Sequence, residues 1–392
     1  MVNLSARRIF SRARCLTALL LFPHLAILSA ADVTWEGTDN VWGTATNWST
    51  DLLPTAADRA IFGAAGANTS VSNGVDRNVG GILFNGSANY TISITGGVIY
   101  VANQGIEVTS GTQTFQSGNL RLNEGGNTTI LNNGTLNINS GLMYHRTVGT
   151  GNKVLTFDGT GNTTVANIQR RNNAFDMSIV KTGTGTLTIS GASAAATASV
   201  AGSITGTTTI NGGKIRINNE GSLGGDAAAF NAAQLTLNGG TLGIFGNTTI
   251  DDTNRGITLG TSGGTFDVET GFTLTVANVI TGSGGLTKTG PGTLILSGVN
   301  TYAGLTTLSA GILNVQNTSA LGTADAGTVV ASGTTLQVQG NIDLGAEALT
   351  ISGTGLAGQA GALVNISGTN TISGQLTFGA SSTIASVSGE LN

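Results

Sequence analysis

Along most of this chain, apolar and polar residues alternate in short runs, and glycine or asparagine separates one run from the next. Such runs include Gly81-Ile82-Leu83-Phe84, Tyr90-Thr91-Ile92-Ser93-Ile94, Val98-Ile99-Tyr100-Val101, Thr128-Thr129-Ile130-Leu131, Thr135-Leu136-Asn137-Ile138 and Val154-Leu155-Thr156-Phe157. A two-residue period puts one set of side chains on each face of a strand. The breaks are turn dipeptides such as Asn73-Gly74, Asn85-Gly86, Asn133-Gly134, Asn211-Gly212 and Asn238-Gly239, which tolerate the positive φ of a tight corner. No stretch keeps a helical period, so the pattern predicts many short strands and almost no helix.

The pattern also repeats over longer distances. The stretch from Ile179 through Lys181, Leu187 and Ile189 returns at Leu286 through Lys288, Leu294 and Leu296. The two copies part at a loop, where the first carries nine extra Ala-, Ser- and Thr-rich residues, and rejoin at Ile215 and Ile217 against Leu313 and Val315. Positions 187, 189, 215 and 217 stay apolar in both copies, while their neighbours vary: Thr188 becomes Ile295, and Arg216 becomes Asn314. The conserved parity marks the side that faces inward. The step from Leu294 to Leu313 holds two short strands and two glycine turns, about one coil of a solenoid built from roughly 20 to 25 residues per coil. At that rate residues 60–392 make about fifteen coils.

The second copy, L-T-K-x-G-x-G-T-L-x-L-S-G-x-N-x-Y-x-G followed by T-x-x-x-x-G-x-L-x-V, resembles the autotransporter-associated β-strand repeat, also called the passenger-associated transport repeat. Residues 286–315 follow the pattern almost throughout; residues 179–217 follow it with an insertion, and with Val180 where the pattern has Thr. The resemblance implies a right-handed, single-stranded parallel β-helix, exported and displayed outside a bacterial cell. It assigns Lys181, Leu187, Ile189, Leu286, Lys288, Leu294, Leu296, Leu313 and Val315 to the repeat's framework, and it implies no catalytic site and no cofactor.

Composition fits that picture. Glycine makes up 61 of 392 residues, about twice the usual share of roughly 7%. Charged residues are only 9%, yet 39% of the chain is hydrophobic and patterned, which argues for folded β structure over a flexible linker. Residues 1–31 read as a signal peptide: Arg7, Arg8, Arg12 and Arg14, then an apolar run from Leu16 to Leu28, then Ser29-Ala30-Ala31. That run is shorter than a membrane span, so no transmembrane segment is expected in the mature chain. Arg7-Arg8 is similar to a twin-arginine signal, but an ordinary basic start suffices because nothing here needs a cofactor loaded before export. The leader's four arginines come out of 16 basic residues, leaving 12 against 20 acidic ones. A diffuse negative balance disfavours nucleic acid as a partner. Cys15, the only cysteine, lies in the leader, which rules out disulfides and thiolate chemistry in the mature chain.

Residues 32–62 hold all three tryptophans, Trp35, Trp42 and Trp48, in a W…W…NW…P…D segment that proteins with this repeat often carry near their start. Two roles are open to them. They can cap the exposed edge of the first coil, or they can form a stacking platform for a sugar. Residues 191–207 read as a projecting loop, and residues 63–392 as the β-helix itself. The stretch from Ala348 onward looks like the lead-in to another repeat, which predicts further sequence of the same protein beyond Asn392 unless the chain is released as it stands.

Candidate chemistry is sparse. His145 is the single histidine outside the leader and has no G-x-S-x-G partner motif. Too few His and Cys remain for a standard zinc site. Asp251-Asp252, Gly224-Gly225-Asp226 and Gly263-Gly264-Thr265-Phe266-Asp267 are only fragments of calcium motifs, so no metal is expected. A polysaccharide-cleaving site would have to draw on Asp158, Asp176, Arg170 and Arg171. The expected role is a secreted, non-enzymatic stalk or adhesion scaffold whose partner is an extracellular glycan or a cell surface. A carbohydrate-binding module and a polysaccharide-degrading enzyme are the alternatives.

Overall fold

The structure, a computed structural model, describes residues 31–63, 68–122, 126–139, 141–144, 152–170, 176–192, 204–225 and 227–392. The leader expected at 1–31 and the centre of the 191–207 loop lie outside these residues, Ala31 and the loop's ends apart. The chain winds as a β-solenoid of about 14 turns. A full turn lays down three short strands on three faces, as in Thr128–Asn132, Thr135–Ile138 and Leu142–Tyr144, followed one turn later by Lys153–Asp158, Asn162–Val165 and Ile168–Arg170. Successive turns pair in parallel, with Ile130 opposite Phe157, Ile138 opposite Val165 and Leu142 opposite Ile168. Helix among the described residues is confined to two single 3₁₀ turns, Ala45–Asn47 and Glu220–Leu223. No helix there is long and apolar enough to cross a membrane.

The alternation read from the sequence becomes the interior. On the second face, Leu187, Ile215, Leu242 and Phe266 stack in register, as do Ile189, Ile217, Ile244 and Val268, all with no exposed surface. On the third face, Leu274, Leu294, Leu313 and Leu336 form the equivalent column, with Val276, Leu296, Val315 and Val338 beside it. Each such side chain contributes roughly 1.5–3 kcal/mol by leaving water, which is the main force holding turn on turn.

The faces tolerate interruption. Among the described residues the third face has no strand between Ile168–Arg170 and Thr248–Ile250; the Glu220–Leu223 turn occupies part of the gap. Past Ile280–Gly282 the first face loses regular strands, but its backbone bonds continue: Thr301 donates to the Ile280 carbonyl at 2.8 Å and Thr323 to the Tyr302 carbonyl at 2.9 Å. Tyr302 fills that side of the interior, fully buried, with its hydroxyl 2.7 Å from the Thr306 hydroxyl.

Asparagine side chains tie the corners of neighbouring turns. The side-chain carbonyls of Asn89, Asn162, Asn238 and Asn247 accept the N–H groups of Thr112, Thr186, Ser262 and Thr273 one turn on, at 2.7, 3.0, 3.0 and 3.0 Å. This explains why Asn recurs at the corners: it supplies an acceptor where the strand ladder has stopped.

The two repeat copies do not lie above one another. Thr186–Ile189 continues through 214–217, 241–244 and 264–268 to Leu286–Thr289, so the second-face column from Leu187 arrives at Lys288 rather than Leu294. The first copy runs from the first face to the second, and the later copy from the second face to the third. They are four turns and one face apart.

Replacing Leu294 with Ala should remove about 3 kcal/mol of local stability. Hydrogen exchange would show protection falling in 273–276, 293–296 and 312–315 while 128–144 stays unchanged; Ile295→Ala, on the half-exposed side of the same strand, should cost less than about 1 kcal/mol.

Candidate ligand pocket and the repeat corners

The three tryptophans point inward. Trp35, Trp42 and Trp48 are 1%, 0% and 0% exposed. Trp48 packs edge-on against Trp35 and tilted against Trp42, with centroids 5.2 Å apart in each pair, and all three surround Phe62 at 5.4–6.0 Å. Phe62 stacks on Phe84 of the next turn at 5.2 Å, so the cluster merges with the core. The Trp35 indole N–H donates to the Asn68 carbonyl and that of Trp48 to the Trp42 carbonyl, both at 2.9 Å. Stacking on a sugar needs an open ring face, and none of the three presents one. Geometrically the cluster is a plug in the first turns.

Polar residues of the same segment hold its loops. Asn47, fully buried, donates to the Asp39 carboxylate at 2.6 Å and the Val41 carbonyl at 2.8 Å, and accepts from Thr38 and the Asp39 N–H. Asp58 accepts from the N–H and hydroxyl of Thr55 at 2.9 and 2.6 Å.

Lys181 and Lys288 are also interior, 3% and 0% exposed. Lys181 sits in register between Phe157 and Ile210, and Lys288 between Phe266 and Leu308, each in an otherwise apolar column. Their stems continue the column and their ammonium groups bend into the next corner. Lys288 Nζ donates to the carbonyls of Thr289 and Gly290 at 2.7 Å and of Ala310, one turn on, at 3.1 Å. Lys181 Nζ likewise bonds the Thr182 and Gly183 carbonyls. Burial pushes the Lys288 ammonium down to about 8, against the opposing pull of Asp267. Gly311 closes this corner with a φ of 75°, and a methyl there would collide with the Gly292 carbonyl. The parity signal for lysine burial was available, because Leu286 and Lys288 share one side of a strand.

A second buried charge cluster fills the break in the third face. Arg255, fully buried, donates to Glu220 at 2.9 Å, Asp252 at 2.8 Å and the Gly224 carbonyl at 3.0 Å. Two carboxylates share one guanidinium. Burial pushes the Glu220 carboxyl up to about 7, although Arg255 pulls the other way.

An open pocket of about 330 Å³ lies at the corner between the third and first faces, lined by Arg170, Asp176, Thr205, Ala227–Ala229, Asn231 and Gln234. That is within the roughly 300–1,000 Å³ of small-molecule sites. Arg170 ends a third-face strand and is 3% exposed; burial lowers its guanidinium below the ordinary range, and Asp176 partly offsets this. Its Nη1 stands 4.0 Å from the Asp176 carboxylate, which accepts the Thr205 hydroxyl at 2.6 Å. Gln234, 1% exposed, donates to the Gly206 carbonyl at 2.9 Å and accepts from the Asn231 amide at 3.2 Å. Phe230, between two lining residues, is 56% exposed. Three successive turns build the pocket, so only Arg170 and Asp176 could be suspected from local sequence.

The other sequence candidates among the described residues do not join it. Asp176 and Asp158 lie at opposite ends of paired strands, six residues apart in register, or roughly 20 Å at about 3.3 Å per residue. A glycosidase pair needs at most about 9.5 Å. Arg171 and His145 lie outside the described residues. Asp252 is held by Arg255, and Asp267 by Lys214 at 2.5 Å. Among the described residues no three His, Cys, Asp or Glu side chains cluster as metal ligands would.

Comparison with known proteins fits this architecture. Residues 179–217 and 286–315 match the passenger-associated-transport-repeat family, so the chain carries two such repeats. It is similar to the Adhesin BmaC autotransporter of Brucella suis biovar 1 (strain 1330), 31% identical over 247 residues. The match covers 59% of this chain and 7% of that adhesin's length. No solved structure matches the chain.

Two outcomes test the buried charges. Lys288→Ala should cost about 3 kcal/mol in denaturant unfolding, because three corner carbonyls lose a donor and the stem's packing is lost. Glu220 binds a proton more tightly folded than unfolded. Its contribution is therefore complete below about pH 4.5 and is lost as pH rises through about 7. Thermal melts should show Tm falling over that window, and Glu220→Gln should flatten the slope.

Proposed function

We propose that this chain is part of the surface-displayed region of a bacterial adhesin, a stiff β-solenoid shaft that carries contact surfaces away from the cell. The observation that carries this reading is the combination of about 14 stacked turns with two passenger-associated transport repeats. At about 4.8 Å per turn the shaft is about 65 Å long. The similarity to an autotransporter adhesin supports adhesion as the role and the cell exterior as the place. Export would use the leader read at residues 1–31.

In this reading the protein works without catalysis. The framework residues Leu187, Ile189, Leu286, Leu294, Leu296, Leu313 and Val315 supply length and stiffness. Lys181 and Lys288 hold the corners, and Trp35, Trp42 and Trp48 close the first turns against fraying. Outward positions are free of these duties. They carry threonine ladders such as Thr209, Thr236, Thr258 and Thr281, one above the other, an uncharged hydrated surface suited to the medium outside a cell.

Antibodies raised against residues 63–392 should label intact producing cells, and deleting these residues in frame from the full-length protein should lower adhesion to host cells or glycan-coated surfaces several-fold. Labelling only after permeabilisation would reject surface display, and unchanged adhesion would reject the adhesive role.

A further inference from the structure

We propose that the outer side of the third face, around the strands Ile312–Val315 and Thr335–Gln339, binds an uncharged glycan through a preorganised cluster of side-chain amides. The proposal gives the adhesive reading a ligand class and rests on that reading for its biological role. Amides from three successive turns meet there. Asn314, 5% exposed, donates to the side-chain carbonyls of Gln337 at 2.9 Å and Gln339 at 3.2 Å, and accepts the Gln316 amide at 3.0 Å. Gln337 in turn donates to the Gln359 side-chain carbonyl at 2.9 Å. Gln359 belongs to residues 354–361, which lie against the outside of this face. The Thr335 hydroxyl donates to the Gly361 carbonyl at 2.8 Å and accepts the Leu356 N–H at 3.0 Å. That cover leaves Thr335, outward by strand parity, with no exposed surface. The outcome is a strip of amides beside a raised edge.

The network orients its members. Asn314 gives its amide hydrogens to two carbonyls, so Gln339 turns its carbonyl toward Asn314 and its nitrogen away. The amide nitrogens of Gln339 and Gln359 and the side-chain carbonyl of Gln316 meet no partner among the described residues, and each is open to solvent. Two donors and one acceptor thus stand fixed at an accessible surface. Neighbouring hydroxyls of a sugar each donate and accept, and they match such a set. Glutamines held in place before binding lose less freedom when a ligand arrives. The strands Thr293–Leu296, Ile312–Val315, Thr335–Gln339 and Leu363–Ser367 and residues 354–361 carry no charged side chain, so nothing in them offsets the desolvation of an ionic ligand. Leu356, half-buried at the raised edge, offers apolar surface to the C–H side of a ring. Two turn spacings, about 10 Å, accommodate a disaccharide segment of a longer chain.

Titration calorimetry on the purified chain with cellohexaose, maltohexaose and a glycine–serine peptide of similar length tests this. One of the two neutral oligosaccharides should bind, and which one identifies the linkage. Gln339→Leu and Gln359→Leu each remove a free donor and should weaken binding about fivefold, and the double variant about twentyfold. Circular dichroism should be unchanged, because neither side chain belongs to the interior. Thr209→Ala, outward on the first face, should leave the affinity as it was. Absence of binding by both oligosaccharides at about 10 mM, affinity indifferent to both glutamine variants in folded protein, or equal binding of the peptide would overturn the assignment. Surface labelling and adhesion of producing cells are read separately, so failure of the adhesive role leaves this binding result intact.

Discussion

The structure depends on one constraint: every turn must satisfy its backbone and its inward side chains on the turns above and below. No turn has a core of its own. Its Leu, Ile or Val positions are dry only because the same positions recur one turn away, and its strand N–H and C=O groups are paired only because the next strand runs parallel to it. Register is therefore fixed by burial, since a slip of one residue would turn the whole inward set toward water.

Length between strands is not constrained in this way. Leu187 pairs with Ile215, and Leu294 pairs with Leu313, yet the first step is nine residues longer. The strands on either side of the 191–207 segment close in register all the same. That freedom also lets one coil lend its corner to a pocket that three turns build together. Evolution of new surface can thus proceed at the corners while the interior stays unchanged.

Corners carry their own demand. A chain that turns sharply leaves carbonyls facing inward with no strand partner, and these need a donor. The repeat meets the demand with a lysine whose stem counts as core and whose ammonium counts as corner. Desolvation of that charge is offset by two or three carbonyls at hydrogen-bond distance. Glycines at Gly213 and Gly311 leave the space in which the ammonium sits, 3.0 and 2.9 Å from where a methyl would be. The lysine–glycine spacing of the motif is therefore a packing relation across one turn, which explains why both copies carry it on different faces.

The sequence alone determined the strand parity, the corner positions, the near absence of helix and the repeats, because each depends on neighbours a few residues away or on direct self-similarity. It placed Leu187, Ile189, Leu294 and Leu296 in the interior, and by the same parity it contained the burial of Lys181 and Lys288, hidden only by the habit of leaving lysine outside. It left the tryptophans open between plug and platform, since alternation does not say which side of the first turns is covered. Only the tertiary structure decided that their rings meet Phe62. Only it decided that the second repeat sits one face round from the first, and that Arg170 and Asp176 share a corner with Thr205 and Gln234 while Asp158 stands at the far end of the strand. The reason is physical: alternation fixes in from out, but which strand lies above which is decided by pairing and burial between turns, and those contacts are not local in the sequence.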